Sequence, residues 1–109
     1  MRACPPLPRA LPTPLGPVKV RRTPDLKTSA GDACCGICHW DEGLIEISAD
    51  LEDGQAWATL FHEYTHMLLF NAGLNVTLGP TVQESVCDVI GTGMAHLVVQ
   101  RTLTRPAPR

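Results

Sequence analysis

Across residues 28–100 there is not one lysine or arginine, although that stretch carries ten of the chain's eleven acidic side chains. The basic residues stand outside it: Arg2, Arg9, Lys19, Arg21, Arg22 and Lys27 before it, and Arg101, Arg105 and Arg109 after it. A nucleic-acid footprint needs a broad basic face, and the close-set Lys19, Arg21 and Arg22 do not make one, so nucleic acid is not an expected partner. The first 24 residues also lack the apolar run of about 7–15 residues that a secretory leader requires, and a cytoplasmic location is expected. With 109 residues the chain has no room for a second domain, and a bound metal would help its small core.

Seven of the ten prolines fall in the first 24 residues, where they remove backbone donors and favour extended, solvated chain. Residues 1–16 are therefore expected to be a disordered, basic, proline-rich arm. The run Pro5-Pro6-Leu7-Pro8-Arg9 superficially fits a polyproline ligand, but a proline-rich segment of this length is more simply a tail. Pro106 and Pro108 mark residues 101–109 as a second disordered tail, leaving residues 17–100 as the folded domain.

Within that domain Val18 and Val20 alternate with Lys19 and Arg21, the period of a half-buried strand. Residues 34–40 and 44–48 flank Asp41-Glu42-Gly43, where glycine can supply positive φ, so a β-hairpin is predicted with Ile45 and Ile47 facing the core. From Asp53 to Asn71 the residues Trp57, Phe61, Tyr64 and Leu68 recur on one helical face, widened by Leu60, Met67 and Leu69, with Gly73 as a stop. A helix apolar on so many sides is a buried one. A second helix is predicted from about Thr81 to Gln100. Its Glu84 and Asp88 argue against a membrane span. Its Gly91 and Gly93 suggest close approach to the first helix.

The first helix contains His62-Glu63-Tyr64-Thr65-His66, and Glu84 follows eighteen residues after His66. Side chains four apart share a helical face, with Cβ atoms about 5–6 Å apart, so both imidazoles can reach one zinc ion. Glu63 then sits beside the metal without ligating it. It is placed to take a proton from a metal-bound water whose pKa has fallen to about 7. The chemistry this implies is amide hydrolysis. Two other readings remain open at this level: Thr81-Val82-Gln83-Glu84 also fits a capping box, and Asp88 also fits a solvated helix residue.

On these motifs the chain resembles a thermolysin-like gluzincin reduced to its catalytic core. The first motif is similar to that family's zinc helix. Glu84-Ser85-Val86-Cys87-Asp88-Val89-Ile90-Gly91-Thr92 is similar to its glutamate helix, a Glu-x-x-x-Asp followed by two apolar residues, Gly and Thr. The resemblance implies Glu84 as the third zinc ligand beside His62 and His66, Glu63 as general base, and Asp88 as the carboxylate that accepts from the far nitrogen of a ligating histidine. Ile37-Cys38-His39-Trp40 also resembles the family's edge strand, implying that Cys38, His39 and Trp40 border the groove where an extended peptide adds. The resemblance covers residues 34–100. The large flanking domains of thermolysin have no counterpart, and the ImmA/IrrE-type metallopeptidases of phages and bacteria are similar in outline. His39 and His96 are the remaining histidines that a transition-state donor would have to come from.

The five cysteines include Cys35-Gly36-Ile37-Cys38-His39, formally a haem-attachment pattern. In an extended strand Cys35 and Cys38 would face opposite sides, which excludes a shared cofactor. Cys34, Cys35 and Cys38 would make a second zinc site only on a loop, and no further thiol pair completes four ligands. Free thiols in a reducing compartment are expected. The sum of these readings is an α+β fold, a small antiparallel sheet of about three strands packed on two helices. It is expected to act as a monomeric zinc metallopeptidase on peptide or protein substrates, with Zn²⁺ as cofactor and no membrane partner. The alternative is a zinc-bound, inactive interaction or regulatory module.

Overall fold

A computed structural model describes residues 4–104, with side chains described to residue 100. Four strands, β1 (Ala10–Leu11), β2 (Val18–Thr23), β3 (Gly36–His39) and β4 (Leu44–Ser48), precede three helices, α1 (Asp53–Asn71), α2 (Leu74–Thr77) and α3 (Pro80–Thr104). The fold class is α+β, with the sheet on one side of α1 and α3 on the other.

The sheet is mixed and four-stranded, in the order β1-β2-β4-β3, which corrects the expectation of about three antiparallel strands. The β3–β4 hairpin turns at Gly43, at φ 62°, and folds back so that β4 inserts between β3 and β2, running parallel to β2. Burial explains the order. β4 supplies Ile45 and Ile47, both fully buried, and takes the centre, while the less apolar β3 is left at the edge. The alternation of side chains then puts Val18, Ile45, Ile47 and Cys38 on the face toward the helices. The opposite face carries Arg21, Thr23, Glu46 and His39, joined by hydrogen bonds and ion pairs to the Glu46 carboxylate.

The expected disorder of the arm is also corrected for residues 4–16. Leu7 and Leu11 pack against the core, β1 pairs antiparallel with β2, the Trp57 indole donates to the Pro5 carbonyl at 2.8 Å, and the Tyr64 hydroxyl donates to the Pro12 carbonyl. Proline lacks a donor but keeps its acceptor, and two aromatic side chains of α1 use it. The arm lies at the β1 edge of the sheet, the edge remote from β3. Of the expected disordered tail, residues 101–104 continue α3, and residues 105–109 lie outside the described residues, as do residues 1–3 of the arm.

Helix α1 matches its predicted span. Ala56, Trp57, Leu60 and Met67 join the sheet residues in the core, and Gly73, at φ 75°, takes the left-handed conformation that ends the helix. The connector contains the short α2, which the sequence did not suggest. Helix α3 starts at Pro80, so Thr81 is already helical and no capping box forms. Gln83 instead donates its amide to the carbonyls of Asn75 and Leu78. The two glycines of α3 differ: a Cβ at Gly91 would lie 2.8 Å from the Ala58 carbonyl and 2.9 Å from the His62 amide, whereas one at Gly93 would meet nothing. Gly91 thus lets α3 approach α1 at the level of His62. The other side of α3 leaves Val82, Val89, Ile90, Met94 and Leu97 exposed. Among the described residues no helix is long and apolar enough to cross a membrane.

Candidate metal centre

His62 and His66 project from the face of α1 that meets α3, one turn apart, with ring centroids separated by 5.0 Å. The antiparallel course of α3 brings Glu84 opposite His66 and Asp88 opposite His62. Glu84 Oε1 lies 2.7 Å from His66 Nε2, and Glu84 Oε2 lies 3.3 Å from His62 Nε2. Asp88 Oδ1 is 2.8 Å from the other nitrogen of His62, Nδ1. A carboxylate accepting from Nδ1–H leaves the lone pair on Nε2, the nitrogen that faces Glu84.

One donor atom each from His62, His66 and Glu84 falls within a span of 4.8 Å, so the three can hold one metal ion. Donors around a tetrahedral zinc with bonds of about 2.0–2.1 Å stand about 3.3–3.4 Å apart, close to the separation of Glu84 from His62. Two imidazoles and one carboxylate are a donor set that suits Zn²⁺, and the residues present fit that ion.

Glu63 shares α1 with the histidines but turns toward β3, its Oε2 3.9 Å from His62 Nε2 and its side chain 12% exposed. Burial lifts its carboxyl above the ordinary carboxylate range, opposed by the two imidazoles when charged and reinforced by Glu84. Gly36 makes that position possible. A Cβ there would stand 2.6 Å from Thr59 Cγ2 and 3.1 Å from Glu63 Cγ, so only glycine lets the edge strand come this close to α1. By contrast Glu84 is 58% and Asp88 70% exposed, so the site has a buried wall on α1 and an open wall on α3.

Two cavities flank the cluster along β3. One, of about 310 Å³, is lined by Cys35, Gly36, Ala58, Thr59, Asp88 and Thr92 with His62 and Glu63. The other, of about 410 Å³, is lined by Cys38, Trp40, His66 and Glu84, again with His62 and Glu63. Cys38 and Trp40 therefore border the groove, but His39 does not turn into it. Its ring is held on the far face of the sheet by Glu46 at 2.8 Å and faces Glu42 at 3.5 Å. His96 is exposed further along α3. Neither histidine is placed as a donor at the cluster.

All five cysteines are free. Burial pushes the Cys38 thiol up to about 12 and the Cys87 thiol up to about 11, with nearby Glu63 and Glu84 respectively adding to it. Both are poor nucleophiles and poor metal donors at neutral pH. Thr59 carries no signal in the sequence, Cys35 enters there only through the haem and thiol-zinc patterns, and Thr92 only as the end of the Glu84 motif. The packing of β3, α1 and α3 is what brings the three to one cavity. Gly36 had a weak signal, a glycine inside a strand pattern, which often marks close backbone approach. No family model, no curated protein and no solved structure matches the chain.

Proposed function

We propose that the chain is a zinc-dependent metallopeptidase of minimal gluzincin type, with His62, His66 and Glu84 as the metal ligands, Glu63 as general base and Asp88 as the residue that orients His62. The observation that carries this reading is the convergence of both Nε2 atoms on Glu84 while Asp88 takes the opposite nitrogen of His62. Two separate sequence motifs on two helices are thereby joined in one site.

Bound Zn²⁺ would supply Lewis acidity to a water molecule and to the scissile carbonyl. The protein's own part follows from its geometry. Glu63, in a pocket that disfavours charge, accepts the proton released as water attacks and passes it to the departing amine, so no proton is lost overall. Asp88 holds His62 in one tautomer. The edge of β3 offers unpaired backbone groups along the groove, on which an extended peptide can lie. The five free thiols fit a reducing, cytoplasmic setting.

A second reading has an observation in its favour. His39 is committed to Glu46 and His96 lies away from the cluster, so no histidine supplies a second oxyanion donor, as expected of a zinc-bound but inactive regulatory module. A peptide-library screen of the zinc-loaded protein separates the two. For the peptidase, Glu63→Gln retains zinc and loses turnover by about 10²–10⁴-fold. Full activity in that variant would remove Glu63 from the mechanism, and zinc retention with no cleavage of any peptide would favour the module.

A further inference from the structure

The two cavities beside the metal centre have different walls. The one at Thr59 and Thr92 is closed, beyond His62, Glu63 and Asp88, by small side chains only, whereas the one at His66 ends on Trp40, immediately after β3. Trp40 stacks one face of its indole on Phe70, with centroids 5.0 Å apart and planes 17° from parallel, and is still 47% exposed. Phe70 belongs to the last turn of α1, where the helix presents the negative end of its dipole, and that turn contains no basic residue. Glu63 lines both cavities, Asp88 the first and Glu84 the one at Trp40, and among the described residues no lysine or arginine lines either. An exposed indole face, a helix end with no basic residue in its last turn and a groove without a described lysine or arginine coincide at one place.

Building on the peptidase reading above, we propose that the groove selects peptides carrying an arginine or lysine on the side of the scissile bond that faces Trp40, with the cationic side chain lying over the indole. A divalent ion at the centre would offset two of the three carboxylate charges. Selection therefore rests mainly on the indole and the helix end, which the ion does not touch. An apolar side chain would also gain from burial against Trp40, but it would gain nothing from the helix end. The choice between arginine and norleucine at the same position thus isolates the cationic contribution.

The test uses the full chain, zinc-loaded and carrying Glu63→Gln so that binding is read without turnover. Fluorescein-labelled nine-residue peptides of alanine, glycine and leucine, with one position scanned as Arg, norleucine or Glu, are titrated by fluorescence anisotropy. At one position Arg binds about three- to tenfold tighter than norleucine, and Glu binds weakest. Trp40→Ala removes the Arg preference with zinc content unchanged, Trp40→Phe keeps part of it, and added salt shrinks it. Equal binding of Arg and norleucine peptides at every position, or an Arg preference that survives Trp40→Ala, would overturn the proposal. Cleavage of charged and uncharged peptides at equal rates by wild type would also sink it while leaving the peptidase reading standing. Arg-selective binding that needs Trp40, with no cleavage of any peptide by zinc-loaded wild type, would support the cation platform and sink the peptidase reading.

Discussion

Helices α1 and α3 both bring donors to one centre, yet they are supported differently. Helix α1 lies between the sheet and α3 and contributes Ala56, Trp57, Leu60 and Met67 to the core, so His62, Glu63 and His66 stand on an element held from two sides. Helix α3 packs extensively on α1 alone, through contacts such as Gly91 and Ala95, and turns Val89 and Leu97 to the outside at 73% and 63% exposure. One wall of the site is thus fixed by folding. The other is held by one helix–helix seam, by the Gln83 amide on the Asn75 and Leu78 carbonyls, and by the carboxylates that meet the histidines. A metal bound between them would fasten the second wall to the first, adding about 4 kcal/mol when free zinc exceeds the dissociation constant a thousandfold.

The largest effect should come from removing the support of α1. Leu60→Ala leaves a cavity at a fully buried position and is expected to cost about 2–5 kcal/mol in denaturant unfolding; a cost near zero would mean the core does not centre on this helix. Next is the seam. Gly91→Ala forces a methyl against the Ala58 carbonyl and the His62 amide, so a zinc-chelator competition should show affinity about 10- to 100-fold weaker. Unchanged affinity would show that α3 reaches the histidines without this close approach. Metal removal is the third and sharpest probe of the difference between the helices. Hydrogen exchange with and without chelator should show amides of residues 81–100 losing more protection than those of α1, and equal loss along both would contradict the unequal support. Smallest is the bare face: Val89→Ser is expected to stay within about 0.5 kcal/mol of wild type. A large loss there would mean that something covers this face.

Much of α1 was legible because local signals agree: aromatic residues at 57, 61 and 64, a turn-permitting Gly73, and two histidines four apart. The hairpin was legible for the same reason, with Gly43 between two short strands. The parallel pairing of β2 with β4 was not, since it joins segments separated by β3 and its flanking loops and nothing in either strand names its partner. The ordered arm was hidden for a subtler reason. Its prolines speak against helix and sheet, but the carbonyls of Pro5 and Pro12 remain available, and the Trp57 and Tyr64 donors that use them lie 52 residues away in each case. At the centre, His62 and His66 could be named from spacing and Glu84 and Asp88 from the resemblance of the second motif, whereas their meeting with Cys35, Thr59 and Thr92 at one groove could not. Gly91 and Gly93 look alike in sequence and part company only in packing.

The account depends most on the two helices sharing one metal ion. Elemental analysis of purified wild type beside His62→Ala and Glu84→Ala addresses that without any knowledge of the substrate. The expected result is one zinc per chain in wild type and loss in both variants, one donor having been taken from each helix. A folded wild-type protein that takes up no zinc, or variants that both retain it, would contradict the shared centre.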